Sequence, residues 1–281
     1  MADKEILDGE NPGHPHRSVR GPHRPALCQC GPKGIPTLLT SNSMKVLVID
    51  IGGTNIKVAS TDMRVPVKIP SGPTMTAEEM TKDVLAATAG WTYDCISIGY
   101  PGPVVHHRPI AEPHNLGVGW IDFPYEKAFG KPLRFINDAA MQALGGYKGG
   151  RMLFLGTGTG LGSAMIFDGV VIPLELAHLP YKKGLTYEQY IGVAGLERRG
   201  VKRWRKSVLD IITRLQAGMV CETVLLGGGN AKLMKDLPNH VILGANSNAI
   251  DGGIKLWQDV DPELANHVPA KQSSAKRTAR T

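Results

Sequence analysis

The sequence predicts an α/β fold built twice, and three observations carry that prediction. Near-continuous apolar runs of strand length, such as KVLVID (45–50) and RMLFLG (151–156), are what central strands buried on both faces look like. A glycine-rich turn follows the first such run of each half, DIGGTN at 50–55 and GTGTG at 156–160, and each leads straight into another strand-like run. Amphipathic stretches of helical period separate the remaining strands, so the order of strands and helices restarts halfway along the chain.

NIKVAS and VPVKI follow the first turn as a meander. Thr76 and Glu79 form a capping box for a helix that carries Ala77, Met80 and Val84 on one face. DCISIGY is a strand ending at the turn PGP; LRFIN is another, and DAAMQALGGY is a helix that fades into Gly145 and Gly146. In the second half, RMLFLGTGTGLGSAMIFDG reads as strand, turn and strand. A long helix over about 194–217 places Val201, Trp204, Val208, Ile211 and Leu215 near helical spacing. CETVLLGGGN is a last central strand running into glycines, and NAIDGGIKLW is a closing helix.

A chain of 281 residues with 42% hydrophobic and 20% charged residues is long enough for one large or two modest cores. No apolar run approaches the roughly 18 residues a membrane span requires, and the first thirty residues lack the apolar centre of a signal peptide. A cytoplasmic location with no membrane partner is therefore expected. Of the formal charge of +7, five bases against four acids in residues 1–43 contribute +1, and Lys271, Lys276, Arg277 and Arg280 contribute +4. The body keeps only +2, so nucleic acid is not an expected partner.

Residues 1–43 hold 11 Gly or Pro and no periodic apolar pattern, which predicts a disordered extension. Met44 opens MKVLVIDIGGTNIKVA like a natural start, so the extension is read as dispensable or as an over-long gene model. The expected division beyond it is a small lobe over 44–137 and a large lobe over 138–268, with the closing helix 248–258 available to pack on the small lobe. A disordered basic tail completes the chain at 269–281. Cys28 and Cys30 form a C-x-C pair without further metal-ligand spacing, while Cys95 and Cys221 lie in strand-like runs as small buried hydrophobes.

The glycine turns match neither a P-loop nor a dinucleotide fingerprint. Each joins two strands, leaving backbone N–H groups exposed beside threonine hydroxyls, a nest suited to phosphate oxygens. Either turn alone reads more simply as a tight hairpin. Two in matching places, with GGGN (227–230) after a third strand, favour phosphate. Asp50, at the end of a buried strand beside the first turn, is placed to hold Mg²⁺ directly or through water.

DIGGTNIKVA, GYPGPV, NDAAMQALG, FLGTGTGLGSAMI, ELAH and LLGGGN occur in this order across residues 46–258. Together they resemble the actin, sugar-kinase and heat-shock ATPase superfamily and, more narrowly, the ROK sugar kinases. The resemblance implies a duplicated, two-lobed actin-like ATPase fold of the ribonuclease H-like kind. It implies phosphoryl transfer to the 6-hydroxyl of glucose with Asp138 as the base, Asn137 beside it on the sugar, and Gly102 and Asn115 lining the same cleft. The donor would lie against Gly52, Gly53, Thr54, Asn55 and Lys57 on one side. Gly156, Thr157, Gly158, Thr159 and Gly160 would face it on the other, with Gly227, Gly228, Gly229 and Asn230 at its distal end. Taken alone, Asp138 is as well read as a helix N-cap. Its place at a helix N-terminus predicts an ionised carboxylate and a weak base, which a loose transition state tolerates. His106, His107 and His114 are expected to be solvated loop residues.

The stretch ELAHLPYKKGLTYEQY (175–190) sets Glu175, His178 and Glu188 close together. Many ROK proteins follow an E-x-G-H motif with a cysteine cluster that binds zinc. Here Ala177 stands in place of the usual glycine and the cysteines are missing, so no zinc is expected. Paired carboxylates and an imidazole suit a sugar instead.

The donor stays open between ATP and inorganic polyphosphate, because KGLTYEQYIGVAGLERRGVKRWRK resembles the polyphosphate-using branch. Arg198, Arg199, Lys202, Arg203, Arg205 and Lys206 put six bases in nine positions, which is either a solvated helix face or a track for a polyanion. Alternatives are a ROK kinase for mannose, fructose or N-acetylmannosamine, a sugar-responsive regulator, and a catalytically dead sugar binder. The first 43 residues are too rich in Pro and Gly for the helix-turn-helix of a regulator. The family resemblance also allows a homodimer.

Overall fold

A computed structural model of the chain describes residues 44–258. The expected extension over 1–43, the Cys28–Cys30 pair and the basic tail at 269–281 all lie outside the described residues.

Strand β1 (Val46–Ile51) passes through the first glycine turn into β2 (Asn55–Ser60) and β3 (Val67–Pro70), an antiparallel meander. Helix α1 (Ala77–Ala87), opened by the Thr76–Glu79 capping box, carries the chain back to β4 (Cys95–Tyr100), which runs parallel to β1. A ribbon of β5 (Val104–Val105) and β6 (Arg108–Pro109) and the short helix α2 (Tyr125–Phe129) lead to β7 (Leu133–Asn137), parallel to β4. The sheet order is β3-β2-β1-β4-β7. Helix α3 (Asp138–Gly146) begins where β7 ends.

The second half repeats this order. Strands β8 (Arg151–Thr157), β9 (Leu161–Phe167) and β10 (Val170–Leu174) form the meander. A small hairpin of β11 (Pro180–Lys182) and β12 (Leu185–Thr186), then α4 (Tyr187–Ile191) and α5 (Val193–Met219), return the chain to β13 (Thr223–Gly227), parallel to β8. Strand β14 (Val241–Leu243) completes the order β10-β9-β8-β13-β14, and α6 (Asn248–Lys255) follows. The two sheets share one topology, as the doubled sequence pattern predicts.

Strand alternation decides what faces what. In β1, Leu47, Ile49 and Ile51 join an outer core with Met80 and Val84 of α1, Trp120 and Phe135. Val46 and Val48 face inward, and the same period turns Asp50 inward at the strand's end. In β8, Leu153 and Leu155 pack outward against Trp204, Val208 and Ile211 of α5. Met152 and Phe154 face inward and meet Val46, Val48, Ala140 and Ile250 in a central layer shared by both sheets.

That central layer is made by helices that exchange places. Helix α3, which follows the first sheet, packs on α6 and on β8 and β9 of the second sheet. Helix α6, which follows the second sheet, packs on β1 and β4 of the first. Ser97 donates to the Gly253 carbonyl, Trp257 Nε1 donates to Ser97 Oγ at 2.9 Å, and Arg134 donates to the Leu256 carbonyl at 2.8 Å, latching α6 in place. The two helices cross through glycine: a Cβ on Gly145 would lie 1.8 Å from the Asn248 carbonyl oxygen, and one on Gly252 would lie 1.8 Å from that of Met141.

Two sequence expectations need correcting. The helix over 194–217 is broken at Gly200, whose φ of 71° is not helical. Val201 follows the break and is exposed, whereas Trp204, Val208, Ile211 and Leu215 are buried as expected. The sequence pattern also omits β10 and β14, edge strands whose residues are mostly exposed and, in β10, interrupted by Pro173.

Candidate active site

The C-terminal ends of β1, β4 and β7 lie side by side and carry the candidate residues of the first half. Asp50 pairs in register with Gly99 on β4, and Tyr100 pairs with Asn137 on β7. Asp50 is buried, and Lys57 Nζ donates to its Oδ2 at 3.0 Å. A Cβ on Gly99 would strike Met141 and come within 3.5 Å of Asp50 Oδ1, so glycine here keeps the carboxylate accessible from α3. The first turn is fixed by Gly52 N–H donating to the Asn55 carbonyl and by Ser71 Oγ donating to the Gly52 carbonyl at 2.6 Å. Gly53 and Thr54 stay exposed, and Asn115 packs against Gly53.

Asn137 caps α3 by accepting from Ala140 N–H at 3.1 Å, and its amide donates to the Gly102 carbonyl at 3.2 Å. The capping role open to Asp138 is therefore held by its neighbour. Asp138 Oδ1 accepts from Ala139 N–H at 2.8 Å, leaving its other oxygen without a donor among the described residues. Burial pushes the Asp138 carboxyl up to about 7, with the nearby charges of Asp50 and Glu175 adding to the shift. Desolvation and two like charges thus oppose the helix N-terminus, which the sequence had suggested would keep the group ionised. Part of the side chain still reaches solvent, as a proton acceptor must.

The second glycine turn is braced from behind. Thr157 Oγ1 donates to the Gly227 carbonyl, Asn230 N–H to the Thr157 carbonyl and Asn230 Nδ2 to the Gly158 carbonyl at 3.1 Å. Gly228 has φ of 83°, and a Cβ there would lie 2.4 Å from the Thr157 carbonyl oxygen, so the GTGTG and GGGN segments require glycine where they meet. Gly156 and Gly160 are half-buried, Thr159 is exposed, and Gly229 has open space around it. Val193 N–H donates to the Thr159 carbonyl, seating the start of α5 on the same turn.

The stretch 175–190 divides into three parts. Glu175 and His178 are exposed at the start and end of a single 3₁₀ turn, Leu176–His178 with Glu175 as its N-cap, which is pinned through Ser163. The hairpin β11–β12 intervenes. Glu188 then reaches back from α4, its Oε2 accepting from Leu161 N–H at 3.0 Å and lying against Gly160. The structure thus joins Asp50, Asp138 and Glu175 electrostatically, Asn137 with Gly102, and Glu188 with the second turn. One oxygen of Glu188 braces that turn, while its other oxygen takes no hydrogen bond among the described residues. Among the described residues no three His, Cys, Asp or Glu side chains gather as a metal-binding group, and Cys95 and Cys221 are free and buried. His107 is not simply solvated, since its Nδ1 lies 3.0 Å from the Phe135 carbonyl oxygen.

Sequence reasoning missed Ser71, Gly99 and Gly192. Ser71 and Gly192, where a Cβ would lie 3.0 Å from the Thr159 carbonyl oxygen, act only after the chain returns to a turn already formed. Gly99 was legible only through its register with Asp50.

Residues 46–173 match the model of the ROK family. These residues are a ROK-family domain. The chain is 28% identical over 204 residues to a polyphosphate glucokinase of Mycobacterium leprae, an alignment covering 64% of this chain and 62% of that protein. It spans less than two thirds of that relative's length. Its fold matches the inorganic polyphosphate/ATP-glucomannokinase of an Arthrobacter species with a TM-score of 0.64 and 24% identity, over 76% of this chain and 98% of that one. A ROK glucokinase from Streptomyces griseus, solved with glucose and AMPPNP, matches with a TM-score of 0.61 and 18% identity over 75% and 98% of the two chains. The ROK domain thus sits in a duplicated, two-lobed actin-like ATPase fold. No helix among the described residues is long and apolar enough to cross a membrane.

Proposed function

We propose that this chain is a hexose kinase that transfers a phosphoryl group to the 6-hydroxyl of glucose. The observation that carries the reading is the convergence of Asp138 and Asp50 at the strand ends of one sheet, with braced glycine turns at equivalent places in both. In this reading residues 44–137 and 138–268 act as the two lobes of a clamp, and closure excludes water from the donor.

Asn137 and Glu175 orient the sugar, with Gly102, Asn115 and His178 around it. Asp138 faces the attacking hydroxyl. As the new O–P bond forms and the bond to the leaving phosphate breaks, the hydroxyl proton passes to Asp138. A carboxyl tuned to about 7 is a better base at neutral pH than an ordinary aspartate. The glycine turns offer backbone N–H groups to the donor's oxygens, and Lys57 is within reach of the same edge. A single buried carboxylate, Asp50, suits a Mg²⁺ ion held mainly by donor phosphates, and that ion would neutralise charge on the transferred group.

For the donor, the structure sorts the basic run. Arg198 donates to the Gln189 carbonyl, Arg199 stacks on Tyr190 and Arg205 donates to the Leu233 carbonyl, so these three serve packing. Lys202, Arg203 and Lys206 are exposed and make no ion pair among the described residues. They support polyphosphate as a donor alongside ATP. Replacing all three with Ser is expected to raise the KM for polyphosphate about tenfold while leaving that for ATP within about twofold. Equal effects on both donors would remove the track. The reading as a whole is tested by assaying glucose, mannose, fructose and N-acetylmannosamine against both donors with Mg²⁺. Turnover of none of the eight pairs would refute it.

A further inference from the structure

Asp210 on α5 gathers three donors on one carboxylate oxygen: Tyr181 Oη and Lys182 Nζ from hairpin β11–β12, and Arg214 Nε one turn along α5. Those bonds, that of Tyr181 foremost, hold its carboxyl far below the usual carboxylate range. The Tyr181 ring carries Lys182 4.6 Å from its centroid and meets Tyr190 edge-on at 4.6 Å, while Arg199 covers the far ring at 4.3 Å. Single exposed ion pairs contribute little, but here three charged bonds and a stacked cation–aromatic column act on one short hairpin.

The hairpin's position gives that network a consequence. Leu179, next to His178, accepts from Tyr187 N–H, closing the base of the hairpin. Thr186, its last residue, caps α4 through Gln189 N–H, and α4 carries Glu188 in its first turn. The spacing between His178 and Glu188 is therefore set by a hairpin that is anchored at Tyr181 to a helix about thirty residues further along the chain.

We propose that Asp210 and Tyr181 are positioning residues: they clamp hairpin β11–β12 to α5 and thereby fix His178 and Glu188 for the sugar without a metal. The proposal rests on the hexose-kinase reading above. It is tested with full-length Asp210→Asn, Asp210→Glu and Tyr181→Phe, the last removing one hydroxyl while keeping the aromatic stack. The expected result is a KM for glucose raised about tenfold in Asp210→Asn and Tyr181→Phe, with kcat and the KM for ATP within about twofold. Asp210→Glu should recover part of the loss, and 1,10-phenanthroline with Mg²⁺ retained should leave the wild-type glucose KM unchanged. Amide exchange in residues 179–190 should quicken in Tyr181→Phe, a readout that does not depend on turnover. Should Asp210→Asn fail to fold, Tyr181→Phe decides alone. Unaltered glucose KM in an active Tyr181→Phe enzyme, a parallel fall in kcat, or a glucose KM that rises with the chelator overturns the clamp and leaves the kinase reading standing. A wild-type protein inactive on every sugar overturns the kinase reading first and the clamp with it.

Discussion

Asp138→Asn is expected to lower kcat about a thousandfold or more while leaving sugar binding largely intact, because it removes only the proton acceptor. Wild-type kcat/KM for the sugar should fall as pH drops below about 7, since the base must be deprotonated and its carboxyl sits near that value. The variant should lose this limb of the profile. Stability should move the other way. Asp138 holds its proton more tightly in the fold, at about 7, than at its ordinary 3.8, so the fold loses stability as pH rises from about 4 to 7 and the loss is complete above 7. A neutral Asn escapes that loss, on the order of 2–4 kcal/mol. Without Mg²⁺, the variant should therefore melt several degrees above wild type at pH 8 and match it near pH 4. An active Asp138→Asn enzyme would refute the assignment of the base.

Gly252→Ala is expected to be among the most destabilising single methyl additions to the fold. Its Cβ would lie 1.8 Å from the Met141 carbonyl oxygen, a backbone atom that cannot step aside without moving α3. Forcing these helices apart should cost about 3 kcal/mol and lower Tm by about 10 °C. Gly145→Ala strikes the same crossing from the other helix, so the double variant should cost less than the two single costs combined. Urea unfolding of the three proteins checks both statements. A Gly252→Ala protein as stable as wild type would mean the crossing is looser than the backbone indicates.

The central strands were legible because they are buried on both faces and read as unbroken apolar runs, as in VLVIDI of β1. Edge strands β10 and β14 were not, since mostly exposed residues and a proline carry no such signal. Asp50 and Asp138 stood out because each ends a strand beside a turn or helix start. The shift of Asp138 was invisible, because it depends on burial and on Asp50 and Glu175, far away in sequence. The break at Gly200 was equally hidden: a glycine inside a helical period is ambiguous until its backbone angles are known. Asp210 escaped notice for another reason, since its partners at 181 and 182 lie on a hairpin that the sequence showed only as a polar bridge.

The exchange of α3 and α6 bears on how the chain matures during synthesis. As the ribosome delivers residues 44–137, the inward side chains Val46, Val48 and Ala59 have no helix to cover them. Their cover, α6, is among the last described residues to emerge, almost two hundred residues after β1. The first sheet must therefore wait, half finished and sticky, until α6 has emerged. A fragment stopped before Asn248 should aggregate, and addition of a separate peptide spanning 244–258 should rescue part of its solubility.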